Sequence, residues 1–414
     1  MEAFCPAYHA AGELTRKHEE EIMERTLRCS GYELAGIEIV RAEDCTLTAS
    51  DGREFVDFEA GVWAAALGHN HPRVNRVMRE QLDRIGHIGY RMTNPHQNAA
   101  ADEVLHAVEF DDGECVFLSS GSEAVEFAVQ LSRRITGKPR LLTLRESFLG
   151  SYGSSGEKNP DEWILFDRDQ CQDCPPERGC DLDCPYLATI PFDQVGAFVF
   201  EPGSSGGFVR FPPAELIRTL SDGVRAYGGL LVANEITTGV GRTGRWFGHH
   251  HNELTPDIVA LGKGLGNGYP VSAVAMRRGV IDAIKGTDFH YAQSHQNDPM
   301  ACAIAAEVLR TVREEGLVER SREVGSTFLQ ALEDLKSKHA VILEVRGRGL
   351  MLAIEFEPTR VHLEDVFREL LNRGILVGYK PTGNLFRFLP PLTIPEEAIR
   401  RLIDALDDIL DESA

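Results

Sequence analysis

Basic residues are scarce in this chain. Against 64 Asp and Glu there are 43 Lys and Arg, and the net charge over 414 residues is −21. An excess of that sign argues against nucleic acid or an anionic membrane as a partner, and it favours solubility. Long apolar runs are missing too. No stretch approaches a membrane span, and the opening MEAFCPAYHAAGELTRKHEE has no apolar core of signal-peptide length. A cytoplasmic location is therefore expected. Neither an internal repeat nor a low-complexity linker interrupts the chain. Cysteine is not scarce. In a cytosolic chain the nine cysteines are expected as thiols or metal ligands rather than as disulfides.

The 43% hydrophobic content supplies a large core and more than one domain. Short apolar runs alternate with helical patterns through the middle of the chain. CVFLSS (115–120), RLLTLR (140–145), GAFVFE (196–201), GLLVANE (229–235), DIVALG (257–262) and VSAVAM (271–276) read as strands. Several are apolar on both faces, as in a sheet covered by helices. EAVEFAVQLSRRI and AELIRTLSDGVRAYG read as helices between them. The pattern predicts an α/β fold with a mostly parallel central sheet. Residues 36–60, with an Asp-Gly turn at 51–52, read as a small β-meander. Beyond 300 come long helices, strand-like GLMLAIEFE, a further helix and GNLFRFLPPLTI. This predicts a large domain over 61–300 and a small α+β domain built from 1–60 and 301–414.

Three stretches carry possible chemistry. Lys263 follows an apolar strand and sits among glycines in GKGLGNG. An amine placed there can lose its proton readily and act as a nucleophile, although a lone lysine in a glycine-rich loop is more often a surface residue. In LSSGSEAVEFAVQL (118–131) a strand turns into an amphipathic helix, and Glu123 stands three residues after Ser120 as in a capping box. Such a helix start binds phosphate well, yet alone it is an ordinary N-cap. In RESFLGSYG (145–153) Phe148 follows a strand, and by itself it reads as core.

The order of these stretches carries the weight. The chain resembles the class III pyridoxal-phosphate-dependent aminotransferases, the fold type I group that includes the ornithine and 4-aminobutyrate aminotransferases. The resemblance starts at DGREFVDFEAGVWAAALGHNHPRV (51–74). It continues through SSGSEAVEFAVQLSRRITGK, FVFEP, NEITTGVGRTG, LGKGLGNG and SHQNDPMACA and ends at LFRFLPPLTI. It implies that Lys263 holds pyridoxal phosphate as a Schiff base and moves the proton in amino transfer. Gly121 and Ser122 would bind the phosphate, with Phe148 and Ile236 against the two ring faces. Ser294 would reach the phosphate of a neighbouring subunit, which implies a homodimer with shared sites. Arg387 would hold a substrate carboxylate, and Glu201 matches a glutamate that pairs with this arginine in some members. The implied substrates are an amino acid or omega-amino acid and a 2-oxo acid, in a ping-pong reaction. Trp63 and Tyr90 are candidates for the pocket wall, or equally for core.

The chain also departs from the family. Asn234 stands where members usually have an aspartate against the pyridine nitrogen. A neutral amide hydrogen-bonds that nitrogen without holding its proton, so the electron sink is expected to be weaker. This leaves three readings: a slower aminotransferase, a racemase or epimerase of the same fold, and an engineered or damaged site; a non-catalytic cofactor-binding protein is a separate alternative. Asn and Asp are nearly equal in size, so an aspartate at 234 is expected to leave the packing intact. Thr237 replaces a glutamine near the cofactor's phenolic oxygen, and EPGSSGGFVRFPP (201–213) differs from the usual segment after Glu-Pro. One feature is an addition. CQDCPPERGCDLDC sets Cys171, Cys174, Cys180 and Cys184 in a C-x2-C-x5-C-x3-C pattern. Four thiolates so spaced can close a structural zinc site. An iron–sulfur cluster, free thiols and disulfides are the alternatives.

Overall fold

Strand-forming runs of Val, Leu, Ile and Phe set the framework, and the chain order of the elements decides which ends of the strands meet. The computed structural model describes residues 27, 35–171, 174, 179–203 and 206–412. Much of the segment 1–60 assigned from sequence to a small domain therefore lies outside the described residues, as do two positions of the 201–213 loop. The chain divides into two units, Met1–Glu38 and Ile39–Ala414. The described residues of the first contain no helix or strand.

In the second unit β1 (Ile39–Glu43), β2 (Thr46–Ala49) and β3 (Glu54–Asp57) form the expected meander. Seven strands follow: β4 (Glu114–Leu118), β5 (Arg140–Leu144), β6 (Trp163–Phe166), β7 (Val195–Phe200), β8 (Leu230–Asn234), β9 (Ile258–Leu261) and β10 (Ser272–Met276). They make one sheet in the order β4-β10-β9-β8-β7-β5-β6. β10 runs antiparallel to both its neighbours, and every other pairing is parallel. The six strands read from sequence are all present, and the short edge strand β6 is the addition. Then come β11 (Ile342–Arg348), β12 (Met351–Phe356), β13 (Ile375–Leu376), β14 (Gly378–Lys380) and β15 (Leu385–Phe388). β11, β12, β15 and β14 form a third sheet, whereas β13 joins β3 in parallel, so the late part of the chain extends the early meander.

The central strands are buried along nearly their whole length because helices cover both faces. Alternation within each strand sorts the residues. Ala197 and Val199 of β7 pack with the helix 121–136, while Phe198 and Phe200 join the core that holds helices 214–226 and 299–314. Since β4, β5, β7, β8 and β9 share one direction, their carboxyl ends share one edge. At that edge the chain leaves the sheet into loops, which is where open α/β sheets bind ligands.

Candidate active site

Lys263 stands two residues beyond β9, at the start of a 3-10 turn, with a left-handed backbone (φ 43°). Its Nζ donates to Thr237 Oγ1 at 2.9 Å and lies 4.9 Å from the centre of the Trp63 ring. Burial brings its pKa down from the usual lysine range to about 8. Glu201 opposes this and the nearby Arg387 adds to it. The amine is thus poised to lose its proton near neutral pH.

Asn234 ends β8 and is 4% exposed. Its Nδ2 donates to the Phe148 carbonyl at 3.1 Å, and its Oδ1 accepts from the Ile236 N–H at 3.2 Å. The two backbone partners fix which end of the amide is nitrogen. They also correct the expectation of a neutral exchange. An aspartate fits by size, but one carboxylate oxygen would face the Phe148 carbonyl with no proton between them. The amide keeps its second N–H for a ligand.

The helix start behaves nearly as expected. Ser120 caps helix 121–136 through the Glu123 N–H at 3.2 Å, while the Glu123 carboxylate reaches back to the Ser119 N–H rather than to that of Ser120. Gly121 has no room for a side chain, because a Cβ there would sit 2.7 Å from Ile236. Ser122 Oγ accepts from the Ser151 N–H at 3.1 Å and ties this turn to the loop that carries Phe148. Phe148 itself is 45% exposed, so it is not core. Its N–H donates to Glu201 Oε2 at 2.7 Å.

Arg387 lies on β15, buried, with its guanidinium 4.6 Å from the Trp63 ring centre. Trp63 therefore contacts both Lys263 and Arg387, and its own buried Nε1 has no partner among the described residues. Arg387 Nε donates to the Glu59 carboxylate at 2.9 Å. Glu59 went unread in the sequence, where Glu201 was the residue named; Glu201 accepts from the Phe148 N–H and acts on Lys263. Gly378 leaves the room for this pair, since a Cβ there would collide with both side chains.

Glu59 and Trp63 are presented by an unusual turn. Ala60, Gly61, Val62 and Trp63 all have φ between 47° and 69°. Left-handed backbone is unfavourable by about 1–2 kcal/mol per non-glycine residue. Asp57 holds the turn: its carboxylate accepts from the N–H groups of Glu59, Ala60 and Gly61 at 2.7, 2.9 and 3.2 Å, and from His69 at 2.8 Å. Glu235 plays a similar part beside Asn234. Buried, it gathers the N–H groups of Gly248 and His249, the Thr238 hydroxyl and the His249 ring, and these contacts hold its carboxyl below the usual range against the cost of burial.

Six expected residues stand apart. Ser294 is exposed, in the turns before helix 299–314, and no described contact joins it to Lys263. Tyr90 is also exposed. Cys171, Cys174, Cys180 and Cys184 lie between β6 and β7 around a cavity of their own, with free thiols.

With this geometry in place, the comparisons are direct. The family model Aminotransferase class-III matches residues 30–155 and 185–410. An acetylornithine aminotransferase of Streptomyces coelicolor is 31% identical over 409 residues, covering 95% of this chain and 96% of the relative. Ornithine aminotransferase 1 of Staphylococcus aureus (strain Mu50) is 32% identical over 371 residues, covering 87% and 91%. An amine transaminase of an uncultivated Pseudomonas species, solved with PLP bound, superposes with a TM-score of 0.83 at 25% identity, covering 95% of this chain and 100% of that one. The chain belongs to the class-III aminotransferases and is a pyridoxal-phosphate-dependent aminotransferase. The edge described above fits that cofactor: a lysine amine of lowered pKa, an amide with an N–H to spare, and a helix start bared by glycine. The racemase alternative is not favoured by these relatives.

Proposed function

We propose that Lys263 carries the cofactor and moves the proton of amino transfer, and that Arg387 receives the substrate carboxylate. The observation that supports this most is the placing of both cations against one indole, Trp63. When bound, the cofactor supplies an electron sink for the carbon that bears the amine. Everything else falls to the chain. The helix start at Gly121 and Ser122 offers N–H groups to a phosphate. Ile236 and Phe148 bound a flat ring, and Asn234 offers it one N–H. Thr237 steers the lysine amine, and the low pKa lets that amine take up and return a proton near neutral pH.

Substrate choice follows from Arg387 and Glu59. A guanidinium already paired suits a site that must accept two kinds of molecule. A 2-oxo acid presents a carboxylate to Arg387. A donor that reacts through a distant amine leaves Arg387 to Glu59, so no buried charge stands alone. In view of the relatives, we propose ornithine or its N-acetyl derivative as donor and a 2-oxo acid as acceptor. The test is a donor panel of ornithine, N-acetylornithine and a simple amine, followed as half-reactions in the cofactor's absorbance. Conversion by the first two, with an Arg387→Gln variant raising the KM of the 2-oxo acid, supports the reading. Conversion by the simple amine alone, with no effect of Arg387→Gln, contradicts it.

A homodimer is proposed because Ser294 is exposed and apart from this chain's own Lys263, which suits service to a neighbour's site. The free thiols are in keeping with a cytoplasmic setting, and among the described residues no helix is long and apolar enough to cross a membrane. The division into a large domain, 61–300, and a small one from 1–60 and 301–414 is proposed on the separation of the seven-stranded sheet from the other two. A structural zinc is a separate proposal, independent of this chemistry.

A further inference from the structure

We propose that Cys171, Cys174, Cys180 and Cys184 bind one zinc ion as four thiolates and so pin the segment between β6 and β7. All four line one cavity of about 410 Å³. In the first pair the Cys174 N–H donates to the Cys171 carbonyl at 3.1 Å. The second pair is anchored from outside. The Cys180 carbonyl accepts from Thr219 Oγ1 of helix 214–226 at 3.0 Å, and the Cys184 carbonyl accepts from the Ala188 N–H at 2.8 Å.

Two independent observations point the same way. The family model leaves out residues 156–184, the stretch that ends on the last of these cysteines. The cluster is thus an addition to the family's shared chain. Three of the cysteines, Cys171, Cys180 and Cys184, lie at the edge of the main core beside Leu187, whereas Leu182 and Tyr186 are exposed. A tetrahedral thiolate site would crosslink this partly anchored segment.

Zinc suits the donors. Four thiolates around a divalent ion leave two net negative charges; Arg168 and Arg210 line the same cavity, as do Asp169 and Glu215. Four protons leave for water as the four Zn–S bonds form, with no change of oxidation state. Among the described residues no three of the sulfurs lie within 4.8 Å of one another, so closure draws them inward. Among the described residues nothing lies within 4 Å of a Cβ placed on Gly179.

The test is metal analysis of the full-length protein, purified under reducing conditions without chelator, with thiol counting on the same sample. About one zinc per chain is expected, with four thiols that react only after the zinc is released to a chromophoric chelator. Cobalt exchanged for zinc should give the strong visible bands of a tetrahedral thiolate site. Cys174→Ser and Cys180→Ser should each lower the zinc content while the cofactor's absorbance and the half-reaction rate persist, which separates this site from the catalytic one. Metal-free protein with four freely reactive thiols, iron in place of zinc, or disulfides mapped among these cysteines would each overturn the proposal. Should the variants fail to fold, the wild-type stoichiometry and cobalt spectrum still decide it.

Discussion

Replacing Asn234 with aspartate sets two effects of similar size against each other, and they act in different states of the protein. In the free chain the amide bridges the Phe148 carbonyl and the Ile236 N–H. Aspartate keeps the second contact and loses the first, leaving a part-buried carbonyl facing a carboxylate oxygen. An unpaired buried acceptor costs about 1–3 kcal/mol, and with part burial the cofactor-free variant should be less stable by about 1 kcal/mol. With the cofactor bound, a carboxylate meets a protonated ring nitrogen, and a charge-assisted bond contributes about 1.5–3 kcal/mol. Denaturant melts of Asn234→Asp and wild type, with and without the cofactor, should therefore show a larger gain on cofactor binding in the variant. The half-reaction with the donor, read in single-turnover absorbance, should accelerate by about one to two powers of ten. Two results would refute this. Unchanged stability of the cofactor-free variant would mean that the Phe148 bridge contributes nothing. Weaker binding with slower turnover would mean that the chemistry depends on the neutral amide.

Other outcomes follow from the same site. Lys263 has its pKa lowered to about 8, chiefly by burial, so capture of pyridoxal phosphate by cofactor-free protein should rise with pH through about 8 and then level off. A rate still rising beyond the range of ordinary lysines would contradict this, and Glu201→Gln should move the inflection lower because Glu201 opposes the shift. Glu59→Gln removes the charge that competes for Arg387. The KM of a 2-oxo acid should fall by about tenfold or more, with a smaller change in kcat for the donor; equal effects on both would show that Glu59 only shapes the fold. Asp57→Asn should destabilise the protein by about 1–3 kcal/mol, measured by denaturant melts, since an amide accepts at one atom where the carboxylate accepts at two. No loss would mean that the left-handed turn is held by other contacts.

The sheet was legible because its strands are short apolar runs at regular spacing, buried on both faces. The four strands that escaped reading lack that signal. β6 is four residues at the sheet edge, β11 alternates irregularly with only Ile342 and Val345 buried, and β13 and β14 are two and three residues long. Lys263, Asn234 and the helix start were legible because each closes a strand, and strands that run parallel bring their ends together. Glu59 was not, because its partner lies far along the chain and only the packing of β15 against the 57–63 turn brings the two side chains into contact. Asp57 was hidden for another reason. An acidic residue at a strand end is common, and nothing local says that the next residues will turn left-handed and need its oxygens. Phe148 was misjudged as core when taken alone, since an apolar residue after a strand is usually buried. Its exposure is what the proposed place beside a flat ligand would require.

The central claim is that Lys263 carries the cofactor of an aminotransferase. Borohydride reduction of the purified protein, followed by peptide mass spectrometry, tests it most directly. The account predicts one cofactor-modified peptide, labelled at Lys263. It also predicts that a donor added before reduction converts the cofactor to its amine form and abolishes the label, which a 2-oxo acid then restores. A label on another lysine, or a cofactor that borohydride leaves free, would contradict the account. So would a donor that exchanges its proton with solvent and gives up no amino group.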